Sequence, residues 1–442
     1  MSTLGFRIFF LVVFAVTGGS CKFDPSGIGQ GTDAGPGPEF DSGPEPDAGP
    51  LCGNGVLDGT EACDGAELGG QTCVTQGHSD GALACAGNCT FDESGCLDVV
   101  ANWYDINWHY RKPVTILGSQ VMEEQIDFPV LILLADDSDL LAAARTDGGD
   151  ILFTADDGVS KLAHEIDTYD GATGALVAWV KVPTLAATTD TMLYMYYGNE
   201  AAAPQETPSN VWDASFSAVY HLNGDATPTM PDSSGPNDAT AVNFNNQTVP
   251  GKMGNGQQMN GSDQRVTIPR QATQNRTRFT YCLWINTNEN SGSASYWDRP
   301  TIIGQENSGY GTGDFGITTS SGYLGMWGGL NGGSDDNVST IVRINDDAWH
   351  HLCAINDTND VTLLLDGATM GTINAGNQIN TQSFTLGART DGGSAGGYHA
   401  GVYDELQIST VDRSLGWAQT SYRNQNAPDQ FFTLGAAEYY LE

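Results

Sequence analysis

The chain has 442 residues, with 17 Lys+Arg against 54 Asp+Glu, a formal net charge of −37. A surface this acidic repels phosphate, which excludes a nucleic-acid reader and argues against electrostatic docking on anionic lipid. Only 16% of residues are charged while Gly numbers 56, and an excess of Gly, Asn, Thr and aromatics over Lys and Glu predicts short strands joined by many turns.

Arg7 is the only charged side chain in Met1–Ser20, and Ile8–Thr17 is a run of ten apolar residues. That run is too short to span a bilayer as a helix and fits the core of a signal peptide. Gly18-Gly19-Ser20 then lead directly into Cys21. This order of charge, apolar core and small residues before a cysteine resembles a bacterial lipoprotein signal. The resemblance implies lipidation of Cys21 and, because Lys22 follows it rather than Asp, the Gram-negative outer membrane. Ordinary cleavage beside Ser20, leaving Cys21 a free thiol, is the alternative. Lys22–Pro50 is rich in Gly, Pro, Asp and Ser without hydrophobic period and reads as a disordered tether. Stretched like polyproline, its 29 residues reach on the order of 90 Å. From Lys22 to Val100 there are fourteen Asp or Glu against one Lys, so about a third of the net charge lies in this tether and the module after it.

Leu51–Cys96 holds Cys52, Cys63, Cys73, Cys85, Cys89 and Cys96. Six cysteines among Gly, Asn and Asp in an exported chain predict three disulfides, of which fifteen pairings are open. A metal site is disfavoured, because this segment has no Cys-x-x-Cys pair and His78 is its only histidine. Asp58, Glu61 and Asp64 are weighed as Ca²⁺ ligands against solvated loop carboxylates. The segment, with CGNGVLDGTEACDG, CAGNC and SGC, resembles the cysteine-rich repeat of myxobacterial surface proteins, which implies a spacer or interaction module.

Trp103–Gly198 carries the short apolar runs KPVTIL, DFPVLILL, DILFTA, ALVAWVKVP and TMLYMYYGN, each bounded by Gly, Pro or Asp, and these are expected strands. Leu140–Ala144 is expected to be one short helix. Trp108, Asp127-Phe128-Pro129-Val130, Asp147–Asp150, His164-Glu165-Ile166, Trp179–Pro183 and Tyr196–Asn199 resemble an uncharacterised domain of bacterial surface proteins, usually found before a laminin-G-like module. Val211–Glu442 repeats the strand signal in FSAVYHL, RVTIP, RFTYCLWIN, TIIGQ, DFGITT, YLGMWG, WHHLCAIN, VTLLLDG, FTLGA and VYDELQIS, which predicts a two-sheet sandwich. Asp232–Gly235, Phe279-Thr280, Trp284, Trp349-His350-His351, Leu365-Asp366-Gly367 and Tyr403–Ile408 resemble the concanavalin-A-like, laminin-G-like jelly roll. The tail from Arg413 through Trp417 to Gln425 is typical of that module when it follows the preceding domain.

The expected organisation is therefore all-β, with two β-sandwich-like domains, the C-terminal one a jelly roll. It comprises a signal peptide (1–20), tether (21–50), cysteine-rich module (51–97), β domain (101–205) and jelly roll (210–440). Cys282 and Trp284 share one strand face, as do Trp349, His351 and Cys353. In the resembled jelly-roll family these two positions lie on neighbouring strands, so the resemblance implies a cross-strand disulfide between Cys282 and Cys353 in an exported protein, with two buried thiols as the alternative.

Three kinds of site are open. Glu165, Asp167 and Asp170 resemble the Glu-x-Asp-x-x-Glu strand of jelly-roll glucanases, whose retaining chemistry needs two carboxyls ~5 Å apart. Against catalysis by Glu165 and Asp170, the third acid is Asp, and the segment precedes the lectin-like sandwich. Trp297, Tyr310, Tyr323 and Trp327 lie in or beside Gly/Ser/Asn-rich stretches and are candidate sugar platforms, with core positions as the alternative. Asp232 and Asp404 are candidate Ca²⁺ ligands, because the resembled fold often holds that ion. His350 and His351 point to opposite faces and cannot readily share one metal. The leading expectation is a non-catalytic surface protein recognising carbohydrate or another surface component. A glycan hydrolase and a structural or protein-adhesive protein are the alternatives.

Overall fold

The computed structural model describes residues 52–59, 61–78, 80–97, 102–223, 229–244, 248–274, 277–306, 313–329, 335–358, 360–374, 383–391 and 393–440. Cys21, the tether and Tyr310 lie outside these described residues. The chain divides into two compact units, Met1–Thr72 with Leu83–Ser94, and Cys73–Ala82 with Gly95–Glu442.

In the first unit, disulfides Cys52–Cys89 and Cys63–Cys85 hold Cα atoms 5.5 and 5.7 Å apart. A two-residue ladder, Ala84–Cys85 against Phe91–Asp92, lies between them. Buried Asp64 accepts the backbone N–H groups of Gly53, Asn54 and Gly55, so this loop is organised by a carboxylate as well as by sulfur. The second unit opens with Cys73–Cys96 and the ladder of Asp80–Gly81 against Cys96–Leu97. Its remainder is two β sandwiches.

The first sandwich pairs a three-stranded sheet, in the order Gln125–Leu134, Ala175–Leu185, His164–Asp170, with a six-stranded one. The second sheet runs Phe432–Leu434, Tyr110–Ile116, Thr191–Tyr197, Leu152–Ala155, Lys161–Leu162, with Glu438–Tyr439 also on Tyr110–Ile116. The short helix is Ser138–Ala143, and the Asp137 carboxylate caps it by accepting the N–H groups of Asp139 and Leu140. The second sandwich is the jelly roll, two eight-stranded antiparallel sheets. One has Ala400–Ser409 and Phe279–Asn286 at its centre, and the other carries Thr301–Gln305, Phe315–Ser320, Tyr323–Gly328 and the edge strand Asp336–Arg343. Strand Phe279–Asn286 shows why its sequence is nearly all apolar. Phe279, Tyr281, Leu283 and Ile285 enter the jelly-roll core, while Cys282 and Trp284 join the core of the first sandwich. A strand buried on both faces has no polar alternation. Cys282 lies directly opposite Cys353 on Trp349–Asn356, and the two form a disulfide.

The C-terminal tail departs from the expected organisation. Its last strands complete a sheet of the first sandwich, and helix Leu415–Asn426 lies on strand Gln125–Leu134. The Asn424 amide donates to the Leu131 carbonyl (3.0 Å) and accepts the Leu131 N–H (2.7 Å), as a neighbouring strand would. Next along the helix, Gln425 accepts the Trp284 indole N–H at 2.6 Å. Among the described residues no helix is long and apolar enough to cross a membrane.

Candidate functional site

Strand His164–Asp170 is an edge strand with a bulge. Ile166 pairs with Ala178 and Thr168 with Val177, which leaves Asp167 without a partner across the ladder. The Glu206 carboxylate accepts the Ile166 N–H at 3.1 Å beside the bulge. Glu165 and Asp167 thereby line a cleft of about 270 Å³ together with Glu206, His221, Asn223 and Ser233. Strand Phe216–Tyr220 delivers His221 from the jelly roll. Glu405 arrives from Ala400–Ser409, where the chain also bulges: Trp284 faces Asp404 but Cys282 faces Gln407, and Glu405 takes a left-handed φ of 50°.

The result is a buried imidazole between two carboxylates. His221 Nδ1 is 2.8 Å from Glu405 Oε1, and Nε2 is 3.3 Å from Glu165 Oε2. Glu165 also accepts the Trp212 indole N–H at 3.1 Å. Burial opposes a charge on His221, but the carboxylates of Glu405, Asp167 and Glu165 outweigh it and hold the imidazole well above its ordinary pKa. Burial likewise works against Glu165, yet the His221 charge and the hydrogen bonds from His221, Ser233 and Trp212 keep its carboxyl below the ordinary value. Asp167 goes the other way. Burial raises it despite His221 and a 3.0 Å bond from the Asn223 amide. Asp404 is raised by burial and by the neighbouring Glu405, although its Oδ2 accepts the Lys252 and Met253 N–H groups at 2.7 and 2.9 Å. Gly251 permits that loop to approach, since a Cβ there would lie 2.6 Å from Asp404 Oδ2.

The expected pairing of Glu165 with Asp170 is corrected. Asp170 is exposed at the end of the strand, where its carboxylate accepts the Ala172 N–H and the Thr173 hydroxyl, both at 2.9 Å. Its chemistry is that of a turn, and the carboxylate that shares the buried site with Glu165 is Glu405. Asp232 is also a loop organiser: it accepts N–H groups from Val219, Ser234 and Asn237 and the Ser234 hydroxyl. Among the described residues, neither Asp232 nor Asp404 belongs to a trio of His, Cys, Asp or Glu ligand atoms lying within 4.8 Å of one another. One trio that does, Cys282, His351 and Cys353, has its sulfurs in a disulfide, and the other, Glu61, Asp64 and Cys89, has its sulfur in one too. His350 and His351 do point apart: His350 pairs with Asp366 and Asp346, while His351 is buried against Trp284.

The candidate platforms divide. Trp327 is fully buried in the jelly roll, with Gly316 against its indole, so a platform role for it is corrected to core packing. Tyr323 is 39% and Trp297 37% exposed. Tyr323 lines a second, shallow groove of about 390 Å³ with Arg299, Ser320, Ser339, Thr340 and Ile341. The Arg343 guanidinium covers the Tyr323 ring at 4.4 Å, and Arg299 donates to the Ser339 hydroxyl at 2.9 Å. Sequence reasoning missed His221 and Glu405. The available signal was a histidine and an acidic pair inside otherwise apolar strands, FSAVYHL and VYDELQIS.

Residues 260–419 match the concanavalin A-like lectin/glucanases superfamily, and residues 147–227 match a domain of unknown function (DUF2341). No curated protein matches the chain. Among solved structures, the binding domain of Paraclostridial Mosquitocidal Protein 1 is 12% identical, covering 47% of this chain and 52% of that one, with a TM-score of 0.37. Domain 4 of AbnA, an extracellular arabinanase from Geobacillus stearothermophilus, in complex with arabinotriose, is 17% identical over 47% of this chain and 98% of its own, with a TM-score of 0.36. The binding domain of botulinum neurotoxin serotype D/C is 16% identical over 48% and 52%, with a TM-score of 0.34. The chain thus spans about half the length of the toxin binding domains it matches.

Proposed function

We propose that this is an exported surface protein that recognises carbohydrate, without hydrolysing it, through the groove beside Tyr323. The observation that carries the reading is an exposed aromatic ring on a jelly-roll sheet, with hydroxyl and guanidinium donors from Ser320, Ser339 and Arg299 around it. Aromatic faces pack on sugar C–H surfaces, and flanking donors fix the hydroxyls. The exposed Trp297 lies on the segment that follows Ser293, whose carbonyl both Arg299 Nε and the Ser320 hydroxyl reach. We take Cys21 as the lipid anchor and Lys22–Pro50 as the tether that lifts the β unit off an outer membrane, in keeping with the signal-like order of residues 1–20.

The test is a glycan array with the whole exported chain, with and without EDTA, because the C-terminal tail is built into the first sandwich. Binding to at least one glycan that is lost in Tyr323→Ala at unchanged melting temperature supports the reading. An empty array, or binding that survives Tyr323→Ala, overturns it. Palmitate labelling that persists in Cys21→Ser would overturn the anchor.

A further inference from the structure

We propose that the cleft between the Glu165–Asp167 bulge and His221-Leu222-Asn223 is a second binding site, for a ligand carrying a primary ammonium group. Three observations converge on it. The first is a shortage of cations. Glu165, Asp167 and Glu206 line the cleft, and Asp404 and Glu405 interact with the same cluster. The imidazole that faces Glu165, Asp167 and Glu405, His221, is already divided between Glu165 and Glu405, and Lys252 acts on Asp404 alone among these acids.

The second is a set of acceptors without donors. Asp167, which lines the cleft, has a buried Oδ2 without a hydrogen-bond partner; Glu405 Oε2 and Asp404 Oδ1 have none either, although those two residues do not themselves line it. Glu405 Oε2 belongs to the carboxylate that touches His221, a wall of the cleft. Unpaired buried carboxylates either keep a proton or take a cation. The third is shape. The cleft is lined by the polar side chains of Asn223 and Ser233 and by the apolar ones of Met230 and Pro231. Asn223 gives its amide N–H to Asp167, which leaves its own oxygen as an acceptor beside that carboxylate.

An ammonium fits this better than a metal ion. Calcium takes six to eight oxygens, roughly, and no trio of these acidic groups brings ligand atoms within 4.8 Å. An ammonium has three donors, which carboxylate and neutral oxygens satisfy together. The apolar wall accepts either the ring face of an amino sugar or the stem of a lysine side chain. The site is independent of the Tyr323 groove.

Saturation-transfer NMR with the whole exported chain tests this, using glucosamine, N-acetylglucosamine and Nα-acetyl-lysine amide as probes. We expect one or both ammonium probes to bind and N-acetylglucosamine not to, the tighter probe identifying the source. Asp167→Asn, which keeps the size and the bond to Asn223, should weaken binding about tenfold or more, the loss of one charge-assisted contact. Glu206→Gln at the rim gives a second reading should Asp167→Asn fold poorly. Tyr323→Ala should leave this binding unchanged, which separates failure here from failure of the carbohydrate reading. Equal binding of glucosamine and N-acetylglucosamine, silence of both ammonium probes, or full binding by both cleft variants would overturn the proposal.

Discussion

Replacing His221 with Gln tests how the two sandwiches are joined. The substitution removes the buried imidazolium and leaves Glu165 and Glu405 facing a neutral amide. Breaking a buried ion pair from one side costs about 3–5 kcal/mol, because the abandoned charges stay buried. At roughly 2–4 °C per kcal/mol for a unit of this size, the melting temperature should fall by about 6–20 °C. The pH dependence carries a sign. The folded pKa of His221 lies above its unfolded value, so its contribution is whole below about pH 6.5 and is lost as pH rises through the folded pKa. Glu165 is the opposite case: its contribution is whole above about pH 4.5 and is lost as pH falls through the depressed folded pKa. The difference in stability between wild type and variant should therefore be bell-shaped, greatest between about pH 4.5 and about pH 6.5. Urea denaturation followed by tryptophan fluorescence reads it, since Trp179 and Trp212 lie 6.2 and 5.9 Å from the His221 ring. A difference under about 1 kcal/mol, or one that is flat with pH, would refute the reasoning.

Further consequences follow from single contacts. Cys282→Ala with Cys353→Ala opens a bridge spanning 71 residues and should cost ~4 kcal/mol, read as a lower melting temperature under non-reducing conditions. Trp327→Ala should cost about 3–5 kcal/mol as a core truncation, whereas Trp297→Ala at the surface should stay within about 0.5 kcal/mol; equal losses in denaturant titrations would contradict their placement. Asn424→Ala strands the backbone N–H and C=O of Leu131, at about 1–3 kcal/mol each, and should speed hydrogen exchange along Gln125–Leu134.

Much of the fold was legible because strand periodicity and turn residues are local. The strands of Trp103–Gly198 and Val211–Glu442 read directly, and the resemblance to the jelly roll, which sets their strands side by side, paired Cys282 with Cys353. The site was legible only in part. Glu165 stood out as an acid in a strand, but the natural local partner was Asp170, five residues on, whereas the observed one is reached through His221, which lies 184 residues from Glu405. No pattern along one strand encodes a contact closed by tertiary packing. The aromatics failed for a related reason. Trp327 and Tyr323 lie four apart on the same face of one strand, opposite the core residues Leu324 and Met326, and only tertiary contacts such as the Tyr296 ring beside Trp327 decide which of them is covered.

The same packing bears on where the jelly roll ends. Cys282, Trp284, Cys353, Ile355 and Leu364 all lie in the core shared with the first sandwich, so the sheet that carries them is covered on both faces. A fragment of residues 210–412 would bare that face, withdraw Glu165 from His221, and remove the Gln425 acceptor from the Trp284 indole. An exposed apolar patch of several hundred Å² drives association. Such a fragment should therefore self-associate in sedimentation velocity or melt well below the intact chain. Restoring the tail alone should not rescue it, because the strands of that tail pair with Tyr110–Ile116. A monomeric fragment with the melting temperature of the whole chain would show instead that the jelly roll folds independently and that the shared core contributes little.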